Sequence, residues 1–214
     1  MTGATWHLQL FGGLRAVRGE ETVERFRSQK FGALLAYLAL FPDRSHSREE
    51  LTDLFWPDSD PEAGRANLRA ALSSLRRQFE PPGTPEGFVL LPQGRYHVKL
   101  GPGIVSDAAR FDAAVAAARR TKEAAERAAL FAQAAQVYGG PLLPGFYEAW
   151  ALNERERFQE AYRDAVGQLA AYWEREDDLG QALDWARRAV GADPLSEAAH
   201  AGVIRLLLAA GQQG

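Results

Sequence analysis

Apolar residues recur along the first hundred positions with a period that changes from two to between three and four, then returns to two. Residues 6–11, 14–17 and 22–24 alternate or carry β-formers and predict a small N-terminal sheet. Residues 28–40 predict a helix with Phe31, Leu34, Leu35 and Leu38 inward, stopped by Phe41-Pro42-Asp43. Ser47-Arg48-Glu49-Glu50 has the form of a capping box and opens a short helix through Leu51, Leu54 and Phe55, ended by Trp56-Pro57. Asp60 and Pro61 are an N-cap and a first helical residue. The helix they start carries Leu68, Leu72, Leu75 and Phe79 as one stripe, and Pro81-Pro82-Gly83-Thr84-Pro85 breaks it. Residues 88–91 and 96–100 then predict two strands around the turn Pro92-Gln93-Gly94-Arg95.

The third helix is the most informative element. Between residues 65 and 79 there are four arginines and no acid. Asn67, Ala70, Ser73, Ser74 and Arg77 lie away from the apolar stripe, flanked by Arg65, Arg69 and Arg76. Small residues allow close approach to a groove, and arginine offers forked donors to phosphate or guanine. A solvated face of an ordinary bundle helix would look similar in isolation. Its setting favours the groove: helix, helix, basic helix and hairpin, in that order, make a winged helix-turn-helix, in which the last helix enters the major groove and the hairpin lies near phosphates. Arg95 and Lys99 are expected to serve the hairpin tip, and Ser47 and Arg48, at the start of the second helix, to add phosphate contacts. The expected DNA-binding unit covers residues 1–101.

Beyond Gly101-Pro102-Gly103 the chain turns rich in Ala, Glu and Arg, and no strand pattern is visible. Helices are expected near 108–119, 122–138, 147–176, 179–191 and 195–210, the third with a possible break. Gly139-Gly140-Pro141-Leu142-Leu143-Pro144-Gly145 is too rich in glycine and proline to be helical. Ala165, Leu169, Tyr172, Trp173 and Asp177 precede Ala199, Val203, Leu206, Leu207 and Gly211 by 34 residues, the tetratricopeptide period. Residues 104–214 are therefore read as a repeat-like helical domain with an interaction surface, and a plain α-bundle is the alternative. Gly211-Gln212-Gln213-Gly214 resembles the turn before a missing partner helix. Leu206, Leu207 and Leu208 would then be partly uncovered, which suggests a piece of a longer protein or a packed dimer. Trp150, Tyr172 and Trp185 are either core or lining of a partner groove.

Composition adds exclusions. The 214 residues are 46% hydrophobic and 25% charged and include no cysteine, so neither a disulfide framework nor a thiolate metal site is available. No apolar run approaches the roughly 20 residues of a membrane span, and no basic-then-apolar leader is seen, so a cytoplasmic protein with no membrane partner is expected. The net charge of −3 divides unevenly. Residues 1–101 hold 13 Lys and Arg against 12 Asp and Glu, and the rest hold 12 against 16. Basicity in the first half is local, so a single copy is expected to bind DNA weakly, with a shallow salt slope, and a homodimer or a second promoter-bound partner would help.

Enzyme chemistry finds no foothold. There is no Gly-x-Gly-x-x-Gly fingerprint and no P-loop lysine. His7, His46, His97 and His200 are scattered without metal-ligand spacing. Ser45, His46 and Ser47 could form a phosphate contact or a plain loop. Glu154, Glu156 and Glu160 stand among Arg155, Arg157 and Arg163 as ordinary helix-surface charge. No catalytic residue, metal or cofactor is expected.

Several motifs occur together in an order that resembles the SARP-type (antibiotic regulatory protein) transcriptional activators of bacteria. Leu72-Ser73-Ser74-Leu75-Arg76-Arg77 resembles their recognition-helix signature, and Leu90-Leu91-Pro92-Gln93-Gly94-Arg95-Tyr96-His97-Val98 their wing. Leu8-Gln9-Leu10-Phe11-Gly12 and Arg27-Ser28-Gln29-Lys30 are similar to the N-terminal sheet and its exit. Asp107-Ala108-Ala109-Arg110-Phe111-Asp112, Tyr138-Gly139-Gly140-Pro141-Leu142-Leu143-Pro144 and Asp193-Pro194-Leu195-Ser196-Glu197-Ala198-Ala199-His200 look like the bacterial transcriptional activation domain. The resemblance implies a mainly α protein with a small β component, a winged helix-turn-helix followed by tetratricopeptide-like helices. It also implies a sequence-specific activator that binds promoter repeats in double-stranded DNA and contacts RNA polymerase, with the loop Trp56-Pro57-Asp58-Ser59-Asp60 toward polymerase. Ser73 and Ser74 stand where many relatives carry arginine, which removes a forked base contact. Larger members append an ATPase module and further repeats. The alternative is a scaffold in which the winged helix and the helical repeats dock partner proteins.

Overall fold

Three side-chain caps start the three helices of the N-terminal half. The computed structural model describes residues 5–80 and 82–212; Pro81 of the predicted breaker, and Gln213 and Gly214 of the predicted final turn, lie outside them. Ser28 Oγ accepts the Phe31 amide at 3.3 Å and opens α1 (Gln29–Leu40). Ser47 Oγ accepts the Glu50 amide at 3.0 Å and opens α2 (Arg48–Phe55). The Asp60 carboxylate accepts from Glu62 and Ala63 and opens α3 (Pro61–Phe79), with Pro61 in the first turn, where no amide is needed. The reciprocal half of the predicted capping box is not made: the Glu50 carboxylate pairs with Arg44 at 2.6 Å.

The chain divides into two units, Met1–Ala109 and Arg110–Gly214. In the first, β1 (Trp6–Gln9), β2 (Arg15–Arg18) and β3 (Glu21–Val23) form the predicted antiparallel meander. A fourth strand, β7 (Ile104–Ser106), lies past Gly101-Pro102-Gly103 and pairs parallel with β1, giving the order β3-β2-β1-β7. The expectation of no strand after that boundary is thus corrected. The second sheet is the wing. β4 (His46–Ser47), β5 (Leu90–Gln93) and β6 (His97–Leu100) run in the order β4-β6-β5, with Gln93 opposite His97 across the hairpin. α1 is buried continuously from Gly32 to Leu40 and touches α3, β6 and β7, so it is the core on which both sheets and the basic helix rest. Ser106 Oγ donates to the Ala39 carbonyl at 3.0 Å and ties β7 to it.

The second unit is helical. α4 (Asp107–Arg120) crosses into it, followed by α5 (Ala124–Val137), α6 (Ala149–Arg175), α7 (Leu179–Ala192) and α8 (Glu197–Gln212). Neighbours in sequence pack as pairs, α5 on α6, α6 on α7 and α7 on α8, the arrangement of a helical repeat. Phe111 meets Phe158 edge-on at 5.5 Å, and Tyr138 stacks on Tyr162 at 4.1 Å. The glycine- and proline-rich segment before α6 is non-helical, and Arg155 holds it by donating to the carbonyls of Leu142, Leu143 and Phe146 at 2.6–2.8 Å. Ala182, Ala186 and Leu206 form a small core joined by Ala170, Trp173 and Val203. Two expectations change: α6 is unbroken, and Gly211 and Gln212 continue α8 rather than turning.

Candidate nucleic-acid interface

α3 buries Gly64, Leu68, Ala71, Leu72, Leu75 and Phe79 and turns its basic side outward. At about 100° per residue, Arg65, Arg69 and Arg76 fall on one edge within about 40° of each other. Ser73 and Arg77 lie next round the exposed face. Asn67 and Ser74 sit on the far edge, roughly 170° from the arginines. That far edge is directed to the segment preceding α1, where Gln78 Nε2 donates to the Arg25 carbonyl at 3.0 Å. The seven positions singled out on this helix therefore spread over about 200° of its circumference.

The arginine edge borders the rest of the site. An open cavity of about 980 Å³ lies between α2, the first half of α3 and the wing, with Arg48, Arg65, Arg69, Arg95, Tyr96 and His97 in its lining. The lining is not uniformly basic, since Glu49 and Asp53 stand on its α2 side. The first residue of α2 is fixed to the wing by the Arg48 amide, which donates to the Tyr96 carbonyl at 2.8 Å. Gly64 lets α3 close on α2: a Cβ there would lie 2.6 Å from Thr52 Cγ2. At the tip, Arg95 lies over the Tyr96 ring at 5.8 Å, and Tyr96 is 65% exposed.

Of the other arginines in the unit, Arg25 and Arg27 likewise have no acid partner among the described residues, whereas three are paired. Arg15, Arg18 and Arg44 pair with Glu24, Glu21 and Glu50. Among the described residues no acid pairs with Arg48, Arg65, Arg69, Arg76, Arg77 or Arg95. Burial, then the charges of Arg76 and Arg69, push the Arg48 guanidinium below the usual arginine range; it remains a cation. Lys99 is not at the tip. It stands opposite Leu91 on β6, and its ammonium is 3.7 Å from Asp43, so the cation at the tip is Arg95. Ser47 spends its hydroxyl on the α2 cap. Arg48's place beside Arg69 and Arg76 could not be read from spacing, because the residues come from two helices; an acid-free helix edge facing a capped start was the only signal.

Among the described residues, no group of three or more His, Cys, Asp or Glu could hold a metal, and no helix is long and apolar enough to cross a membrane.

The family described as Bacterial transcriptional activator domain matches residues 106–214, half of the chain. The chain belongs to that family. Its resemblance to SARP-type activators is thereby borne out, and this activator-domain family is one of transcriptional regulators. Among solved structures, Mycobacterium tuberculosis EmbR in complex with low affinity phosphopeptide is similar, with a TM-score of 0.57 and 21% identity. The match covers 95% of this chain and 65% of the EmbR chain. It is a likeness of fold: a winged helix-turn-helix followed by a helical domain. No curated protein matches the chain.

Proposed function

We propose that this regulator is a promoter-binding transcriptional activator. In this reading residues 1–101 bind double-stranded DNA with α3 in the major groove and the Arg95–Tyr96 tip against the backbone, and residues 104–214 form the activation domain. The observation that carries it is the unpaired arginine edge of α3 beside the wing. Cations without acidic partners, lining a groove wide enough for a polyanion, are an electrostatic footprint of nucleic-acid binding. The acidic loop Trp56-Pro57-Asp58-Ser59-Asp60 has Pro57, Asp58 and Asp60 exposed and suits contact with RNA polymerase. Binding to promoter repeats by a homodimer or by two copies would offset the weak charge of one unit, and the protein would act in the cytoplasm.

The test is fluorescence anisotropy of the whole chain on random duplexes across a salt series, for the parent and for Arg76→Glu with Arg77→Glu. Salt-sensitive binding that the double reversal abolishes is the expected result. A folded parent with no binding at low salt overturns the reading.

One observation favours the scaffold reading: Leu195, Ile204, Leu207 and Leu208 of the α8 region are 92, 58, 48 and 64% exposed. A protein-docking role would leave partner binding intact in the double reversal.

A further inference from the structure

We propose that Arg48, Arg69 and Arg76 together hold one backbone phosphate of the bound duplex, and that Arg77 reads bases. The assignment rests on the DNA reading above and divides its arginines between two tasks.

Arg69 and Arg76 are seven residues apart, two turns of α3, and so stand one above the other on the same edge. Arg48 opens α2, the helix that packs on the start of α3 through Thr52 and Gly64. Its backbone is held twice: its amide donates to the Tyr96 carbonyl, and its carbonyl accepts from Thr52 Oγ1 at 2.7 Å. The guanidinium therefore starts from a fixed point, on the wall of the cavity that Arg69 also lines. Its Nε is buried and has no hydrogen-bond partner. Acids are at hand on the same elements, Glu49 on α2 and Glu62 on α3, yet neither pairs with the three arginines. The charges of Arg76 and Arg69 both act on the Arg48 guanidinium, and like charges so placed beside an unsatisfied donor are unfavourable until an anion joins them. A phosphodiester supplies the missing charge, and its oxygens accept from several guanidiniums at once. Arg77 lies about 100° round the helix from this edge, on the exposed face with Ser73, where a groove-bound helix meets base edges.

A shared phosphate makes a prediction that separate contacts do not. The salt slope counts neutralised phosphates at about 0.9 each on duplex DNA, not the cations that neutralise them. With an operator selected from a random duplex pool, Arg48→Gln/Arg69→Gln/Arg76→Gln should flatten the slope of log K against log salt by about one unit per bound copy, the number of copies being read from the stoichiometry of the titration. Three separate contacts would flatten it by about three per copy. The ratio of operator to random-duplex affinity should be unchanged in this triple variant and should fall in Arg77→Gln. Replacing single linkages of the operator by neutral methylphosphonate should reveal one position that weakens the parent and leaves the triple variant indifferent. Circular dichroism checks that each variant is folded. If the parent binds but the triple variant loses two or three units per bound copy, loses none, or loses sequence preference, the shared phosphate is overturned and DNA binding stands. If the parent does not bind, both readings fall together.

Discussion

The Trp6 indole nitrogen donates to the Phe79 carbonyl at 3.1 Å, and the two rings meet edge-to-face at 5.0 Å. The first strand of the chain thus caps the last residue of the basic helix, 73 positions away, where carbonyls have no partner within the helix. Arg18 lies over the outer face of the same indole at 4.3 Å. The N-terminal sheet is in this way the anchor of α3.

Trp6→Phe should keep the ring contact and remove the donor, leaving a buried carbonyl unpaired at a cost of about 1–3 kcal/mol. Trp6→Ala should cost about 3–5 kcal/mol, because the side chain is fully buried. Urea unfolding followed by circular dichroism measures both. Equal stability of Trp6→Phe and the parent would show that the hydrogen bond contributes nothing.

A second tether leaves the same helix end. Glu80 Oε1 accepts the amides of Val89 and Leu90 at 2.6 and 2.9 Å, where the wing begins. Glu80→Ala should release two donors that β5 cannot satisfy, and amide hydrogen exchange at Val89 and Leu90 should accelerate. Exchange in α1 should change far less. Uniform acceleration across the unit would point to global destabilisation instead of a local tether.

Ser28, Ser47 and Asp60 announce three helices in the right order because a cap is a local event, written within four residues of where it acts. The wing follows from β-formers on either side of Gln93-Gly94. β7 escapes the same reasoning: Ile104, Val105 and Ser106 are only three residues, and their pairing partner is almost a hundred positions upstream. Parallel pairing of that kind leaves no local mark. Gly211 reads as a stop signal, yet it sits inside α8, where glycine is tolerated at about 1 kcal/mol. At the interface, the helical wheel of α3 was legible from its sequence. Which edge meets Arg48, and that Lys99 turns to Asp43, depend on how two helices and a hairpin pack.

Gly64 sets the distance between α2 and α3. Gly64→Ala gains about 1 kcal/mol of helix propensity but places a methyl 2.6 Å from Thr52 Cγ2. The clash should outweigh the gain, because Thr52 is buried and its hydroxyl is committed to the Arg48 carbonyl. Thr52→Ser deletes the obstructing methyl and keeps the hydroxyl. The pair Gly64→Ala/Thr52→Ser should therefore be more stable than the two single effects added together, a coupling that a double-mutant cycle reads directly. Simple additivity would mean that the helices move apart freely.

The His46 ring is fully buried between α1 and the wing, 5.2 Å from the Tyr37 ring and 6.3 Å from Phe41. Burial, then the charge of Arg44, hold its pKa below the usual 6.5, while Glu50 and the Phe41 backbone pull weakly the other way. The folded state therefore favours the neutral ring, and the unfolded chain takes up a proton first as pH falls. His46 contributes its full stability above pH 6.5 and loses it as pH drops through that value toward the lower folded pKa. His46→Phe fills the same space without a titrating group. Measured by urea unfolding between about pH 5 and 8, the parent should lose stability relative to His46→Phe on acidification, with the difference between them constant above neutrality. Parallel pH profiles for the two proteins would mean that His46 is protonated as readily when folded as when unfolded.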